Sequence, residues 1–233
     1  MNTALLTIDD IASKNTPFLV DYLKEKGIPA LFFAVGMNVE KHYEEALYAV
    51  KQGFLLGNHS YSHPAFSSLS LEEGIAEIEK CEAVLNRLYQ DAGMPRPFRP
   101  FRFPYGDKGG KNKDALQTYF RKQGFDKVND AHLPYSWWQE NGLNLDVDTF
   151  WTFDFEEYRL RPGSDFTVED IWAKTRDQNP KSGAVLYGEN QRHFILLHDH
   201  AETQAVLPRY YQLFLDELMQ NGITFDAPSF IRL

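Results

Sequence analysis

Two histidines stand four residues apart in His59-Ser60-Tyr61-Ser62-His63, a spacing that one helical turn or a tight loop brings to one side. Pro64 disfavours α geometry at His63, so a turn is favoured over a long helix. Two neutral imidazoles and one carboxylate make a hydrolytic metal site that leaves positions open for water and substrate. A carboxylate is available in Asp9-Asp10. Two ionised neighbours repel unless cations neutralise them. A metal on Asp10 and Arg102 on Asp9 would satisfy both. His198, after the apolar Ile195-Leu196-Leu197, is either a satisfied core histidine or a general acid. The bland readings are turn histidines at 59 and 63 and a loop start at Asp9-Asp10.

These groups share a position in the pattern. Apolar runs at Ala4–Thr7, Ala30–Val35, Phe54–Leu56, Phe98–Phe103, Phe150–Phe153, Phe194–Leu197 and Ile223–Phe225 read as strands. Asp9, Asp10, His59, His63, Arg102, Pro104, Tyr105, Asp154 and His198 all end or follow such runs. Amphipathic stretches alternate with them. Thr16-Pro17 opens one that stops at Gly27, and Tyr43, Ala46, Leu47 and Val50 mark a second that ends at Gly53. Ser70 caps a third that carries Ile75, Ile78, Cys81, Leu85 and Leu88. Leu116 to Phe120, a helix opened by Thr167 and Asp170, and Val206 to Met219 follow. Such alternation predicts a parallel sheet covered by helices, and about seven units predict a distorted (β/α) barrel with helices outside. In such folds the C-terminal strand ends carry the site. The segment from Asp126 to Thr149 reads as a long loop near that face.

The 233 residues suit one domain, and no repeat or linker divides them. With 43% hydrophobic residues the chain can bury a core, and a net charge of −9 without a Lys/Arg stripe argues against nucleic-acid binding. No apolar run reaches a membrane span. The one cysteine, Cys81, excludes an internal disulfide or a cysteine zinc site and reads as a small buried hydrophobe. No signal peptide is visible, so the chain reads as cytoplasmic as written, or as secreted or periplasmic if a leader was removed. The sequence carries no signal of oligomeric state.

Together the motifs resemble the polysaccharide deacetylase family, also called the NodB-homology domain or carbohydrate esterase family four. Thr7-Ile8-Asp9-Asp10 is similar to its T-F-D-D-G, His59 to His63 to H-[ST]-x-x-H, and Arg102-Phe103-Pro104-Tyr105-Gly106 to R-P-P-Y-G. Asp154 to Tyr158 resembles D-[ST]-x-D-W, and Ile195 to His198 resembles L-x-x-H. The likeness runs in order along nearly the whole chain. It implies one catalytic domain over 1–233 that removes acetyl groups, above all N-acetyl, from a carbohydrate.

The resemblance gives each residue a role. Asp10, His59 and His63 would hold a divalent metal, zinc by preference, with cobalt, nickel or manganese as alternatives. Asp9 would be the base for the attacking water, and Arg102 would orient it. A backbone N–H near Tyr105 would help to stabilise the oxyanion. His198 would be the acid, with Asp154 as its partner and Glu157 as the alternative. Pro104, Tyr105, Tyr158 and Leu196 would bind substrate, the last two as walls for the acetyl methyl.

Ile11 stands where the family has glycine. A β-branched residue resists positive φ, so the first loop must follow another path. Phe103, Phe155, Glu157 and Tyr158 also depart from the pattern, but no ligand or proton-transfer position is lost. Tyr135, Trp137 and Trp138 are either a sugar-stacking wall or ordinary packing. The other readings are hydrolysis of a small ureide-type amide and a catalytically silent carbohydrate-binding relative.

Overall fold

A computed structural model describes residues 2–231 of the chain. Its parallel wall runs in the order β3 (Leu55–Asn58), β2 (Ala30–Ala34), β1 (Asn2–Ile11), β6 (Arg192–His198), β5 (Phe153–Asp154). The strand β7 (Ile223–Phe225) pairs with the first residues of β1. A separate antiparallel pair, β4 (Lys127–Val128) with β8 (Phe230–Ile231), was not foreseen from the sequence. The helices are α1 (Thr16–Lys26), α2 (Gly36–Lys41), α3 (Tyr43–Lys51), α4 (Leu71–Ala92), α5 (Lys113–Lys122), α6 (Ser136–Glu140), α7 (Val168–Thr175), α8 (Ala201–Val206) and α9 (Tyr210–Gln220). Among the described residues no helix is long and apolar enough to cross a membrane.

Strand alternation sorts the core into an outer and an inner layer. Leu6 and Ile8, Phe32 and Ala34, and Ile195 and Leu197 face the helices in one cluster. Their neighbours Leu5, Leu31, Phe33 and Phe194 face inward in another. Further along the same inward face come Thr7 and then Asp9. Register pairs Leu5 with Phe194 and, four residues on, Asp9 with His198, so two ionisable groups arrive level at the C-terminal rim.

The wall closes through a segment too broken to be a regular strand. Pro100 lies within it and Pro104 follows it, and proline cannot donate to a ladder. The Phe98–Phe103 run therefore contributes a single parallel bridge, Asn58 to Phe101. The Asn58 N–H donates to Pro100 O at 2.9 Å, and the Thr149 N–H donates to Phe101 O at 2.8 Å. From there the chain passes to β5 and back to β6, which gives the distorted barrel that the alternation predicted. Arg102 staples this closure from inside. Its guanidinium, with the residue 0% exposed, donates to Thr7 Oγ1 and Asp9 Oδ1, both at 2.8 Å, and to the carbonyls of Thr149 at 3.1 Å and Phe150 at 3.2 Å.

Three local expectations need correction. The helix read as Val206 to Met219 is two helices, because Pro208 and a positive φ of 60° at Arg209 break it. Thr16 does not cap α1; its hydroxyl accepts from the Ser13 N–H at 2.8 Å and donates to Asp199. The segment from Asp126 to Thr149 is not a loop on the functional face. It carries β4 and α6, and it buries Leu133, Trp138 and Leu143 against Leu5, Leu31 and Phe194, toward the other end of the strands. Trp138 is pinned there by its indole N–H, which donates to Asp130 at 2.8 Å.

Two changes test this closure. A Cβ on Gly57 would lie 2.9 Å from the Phe33 ring and from Pro100, so Gly57→Ala should destabilise by about 1–3 kcal/mol, read as a lower urea midpoint at unchanged m-value. Arg102→Met leaves Asp9 buried without its cation and should cost more, about 3–5 kcal/mol by the same measurement.

Candidate active site

The first strand ends in a bulge. Ile8 pairs with Phe32, but Ile11 pairs with Ala34, so the register shifts between them. Strict alternation would send Asp9 and Asp10 to opposite faces. Asp10 instead takes a φ of 65°, a region that aspartate tolerates better than most residues, and both carboxylates reach the rim. Ile11, with no positive φ, goes into the outer core at 0% exposure. The first loop thus places its left-handed residue at Asp10 and asks no positive φ of Ile11.

His59 and His63 reach the same place from a turn, not a helix, with positive φ at Ser60 (64°) and His63 (62°). One oxygen or nitrogen from each of Asp10, His59 and His63 lies within 4.8 Å of the others. The Asp10 Oδ1 is 3.4 Å from His63 Nε2 and 3.8 Å from His59 Nε2. His59 Nδ1 lies 2.8 Å from the Arg102 carbonyl, which can only accept, so its proton is there and Nε2 is left free as a ligand. Burial pushes His63 down to about 4, and the neighbouring His59 adds to that, so His63 is neutral at pH 7. Burial would raise Asp10, but the surrounding imidazoles, His198 foremost, outweigh it and keep the carboxyl ionised. These are the protonation states that a divalent cation requires of its ligands.

Asp9 takes a different position. Its Oδ1 is bound by Arg102 at 2.8 Å, and its Oδ2 faces His59 Nε2 at 3.4 Å. The sequence-level pairing of Arg102 with Asp9, and of Asp10 with the histidines, is the geometry observed.

His198 brings a correction. Its hydrogen-bond partner is Glu157, not Asp154: Glu157 Oε1 accepts from the His198 N–H at 2.6 Å and from its Nδ1 at 3.1 Å. Asp154 lies in the same cluster, but its Oδ1 is taken by the Glu156 N–H at 2.8 Å, and burial pushes its pKa up to about 6. The longer, fully buried Glu157 makes the direct contact. Burial works against charge on His198, yet Glu157 overrides it and lifts the imidazole to about 10.

A cleft of about 820 Å³ opens over these groups. Tyr105 and Tyr158 stand at its edge as a matched pair. The Tyr105 ring meets His63 edge-on at 4.6 Å, and Tyr158 meets His198 at 5.0 Å. Leu196 lies on the wall with them. Pro104 does not: it is buried at the start of the turn that presents Tyr105. Tyr135, Trp137 and Trp138 do not line the cleft either, so its aromatic wall is Tyr105, Trp151 and Tyr158. Sequence reasoning passed over Trp151 and His200. The Nε2 of His200 is 3.7 Å from Asp10 Oδ2. His198 and His200, two apart at a strand end, share one side by alternation, and that signal was there to be read.

Comparison with known proteins places the chain among relatives. A family model described as polysaccharide deacetylase matches residues 1–128. A peptidoglycan-N-acetylglucosamine deacetylase of Bacillus cereus is 38% identical over 103 residues, which are 44% of this chain and 36% of that protein. Chitin deacetylase 1 of Cryptococcus neoformans is 39% identical over 103 residues, 44% of this chain and 21% of that protein. The chain thus matches well under half the length of these curated relatives. In fold, it is similar to the polysaccharide deacetylase Bc1974 of Bacillus cereus, with a TM-score of 0.64 at 22% identity over 97% of this chain and 92% of that one. It is also similar to the peptidoglycan deacetylase PdaC of Bacillus subtilis, with a TM-score of 0.60 at 23% identity over 96% and 86%. With more than half of its length matched by the family model, the chain belongs to the polysaccharide deacetylase family.

Proposed function

We propose that this chain is a metal-dependent hydrolase that removes acetyl groups, most readily N-acetyl, from a carbohydrate. The observation that carries the reading is the division of labour at the rim. Asp10, His59 and His63 converge on one point, while adjacent Asp9 is held by Arg102 and His198 by Glu157. The peptidoglycan and chitin deacetylases among its relatives support the substrate class. One domain spanning the chain is supported by β6 and β7, which come from its last 42 residues and pair with β1.

When bound, a divalent cation on Asp10, His59 and His63, zinc by preference, supplies Lewis acidity that polarises the acetyl carbonyl and lowers the pKa of water toward ~7. Asp9 takes the proton from the attacking water. Arg102 holds Asp9 in place on the cleft wall through its 2.8 Å hydrogen bond to Oδ1. The Tyr105 N–H is the further donor proposed for the oxyanion. His198, charged below about pH 10, protonates the leaving amine from Nε2, and Glu157 fixes its ring by accepting a hydrogen bond from Nδ1–H. Leu196 and Tyr158, both on the cleft wall, are the apolar surfaces against which the acetyl methyl would rest. A silent binding relative would have no use for two separately neutralised proton-transfer groups, and no observation favours a ureide over an acetylated sugar.

Acetate release from N-acetylglucosamine oligomers should be lost on chelation and return with zinc; ammonia from allantoin in place of acetate would overturn the substrate class. Asp9→Asn should lower kcat by ~10²–10⁴ with metal still bound, and unchanged kcat would remove Asp9 as the base.

The acid also has a pH signature. His198 is raised in the folded protein, so its charged form, and the stability its pairing adds, is complete below pH ~6.5 and lost as pH rises through about 10. Glu157→Gln removes the charge that raises it, and the alkaline limb of the kcat profile should move down by roughly one pH unit or more.

A further inference from the structure

The turn that carries His59 and His63 is clasped from both sides. On one side, the Gly36 and Met37 N–H groups donate to Ser60 O at 3.0 Å and Tyr61 O at 2.9 Å. Tyr61 packs so closely that a Cβ on Gly36 would fall 2.6 Å from its ring. On the other side stands α4. Two left-handed residues, Ser60 and His63, turn the Tyr61 and Ser62 N–H groups outward into a small concavity. Glu77 of α4 fills it. Its Oε2 accepts from the Tyr61 N–H at 3.1 Å and the Ser62 N–H at 2.7 Å, and its Oε1 accepts from the Ser62 hydroxyl at 2.9 Å.

Successive N–H groups in such a turn form a site for an anion, and bonds to an ionised acceptor are the stronger kind. Here the anion is part of the protein. We propose that Glu77 is a positioning residue for the metal ligands, acting through the backbone of the turn without touching the metal-binding atoms. The inference rests on the reading of Asp10, His59 and His63 as ligands. The two histidines do not depend on Glu77 equally. His59 is fixed by its Nδ1 contact with Arg102 O, and its own N–H donates to Ala34 O at 3.0 Å. His63 lies beyond the clasped N–H groups, and its N–H reaches only the Ser60 hydroxyl, at 3.1 Å. Without Glu77 the turn can relax at its far end, and His63 Nε2 leaves its place 3.4 Å from Asp10. Affinity for the cation falls while Asp10 and His59 stay where they are.

The test is Zn²⁺ affinity by competition with a chromophoric chelator, together with the visible spectrum of the Co²⁺-loaded protein. Glu77→Ala should weaken Zn²⁺ by ~10–100-fold, the range for loss of a group that orients ligands, and should alter the Co²⁺ bands. Glu77→Gln keeps one acceptor oxygen and should restore part of the affinity. Glu73→Ala is the control: it removes the capping box of the same helix with Ser70, so it lowers stability without touching the turn, and its Zn²⁺ affinity should equal that of the unaltered chain. Should Glu77→Ala not fold, Ser62→Ala and Glu77→Gln carry the test with smaller losses in the same direction. Unchanged affinity and spectrum in the Glu77 variants, or an equal loss in Glu73→Ala, overturns the proposal. An unaltered chain that binds neither metal overturns the ligand reading, and Glu77 falls with it.

Discussion

A guanidinium with no exposed surface is the constraint from which the rest of the structure follows. Taking an ion out of water costs several kcal/mol even after relaxation, so Arg102 is tolerable only if its donors are met. Asp9 meets part of that need, and Thr7 and two backbone carbonyls meet more. The same contacts draw the broken fourth segment against β1 and close the wall. One ion pair therefore both joins the two sides of the barrel and fixes the place of one carboxylate beside a second. Asp10 is then left to the histidines alone.

Backbone strain gathers around the same rim. Asp10, Ser60, His63 and Tyr105, none of them glycine, all have positive φ. Each such residue costs on the order of 1–3 kcal/mol and persists only where its surroundings over-determine it. At Asp10 the surroundings are a bulge locked on either side by Phe32 and Ala34 of β2. At Ser60 and His63 they are α4 and the start of α2. The strain marks where regular geometry would have aimed a side chain away from the cleft.

Much of this was legible in the sequence, for a physical reason. Parallel strands buried on both faces read as apolar runs, and the residue that ends each run lands at one rim whatever the helices do. Asp9, Asp10, His59, His63, Arg102 and His198 were all placed by that rule. The opposite charges at Asp9-Asp10 and Arg102 even gave the pairing. The rule fails where direction depends on a backbone departure that local composition does not announce. The bulge that turns Asp10, the turn that buries Pro104 beneath Tyr105, and the reach of Glu157 past Asp154 are all of that kind. It fails again for the Asp126 to Thr149 segment. Its aromatic residues look alike whether they stack on a sugar or plug a barrel, and only long-range contacts with Leu5 and Phe194 decide.

The order of the strands bears on how the molecule comes to exist. β1 leads the sequence yet lies in the middle of the wall, with β6 beside it along most of its length. During synthesis β6 is absent until the 180 residues between Ile11 and Arg192 have been made. Contacts that span so much chain are slow to form, and a half-built parallel sheet has open edges that attract other chains. The rim that gathers Asp9, Asp10 and His198 thus comes together late, and a nascent chain that stalls before β6 presents sticky strands in place of a closed wall.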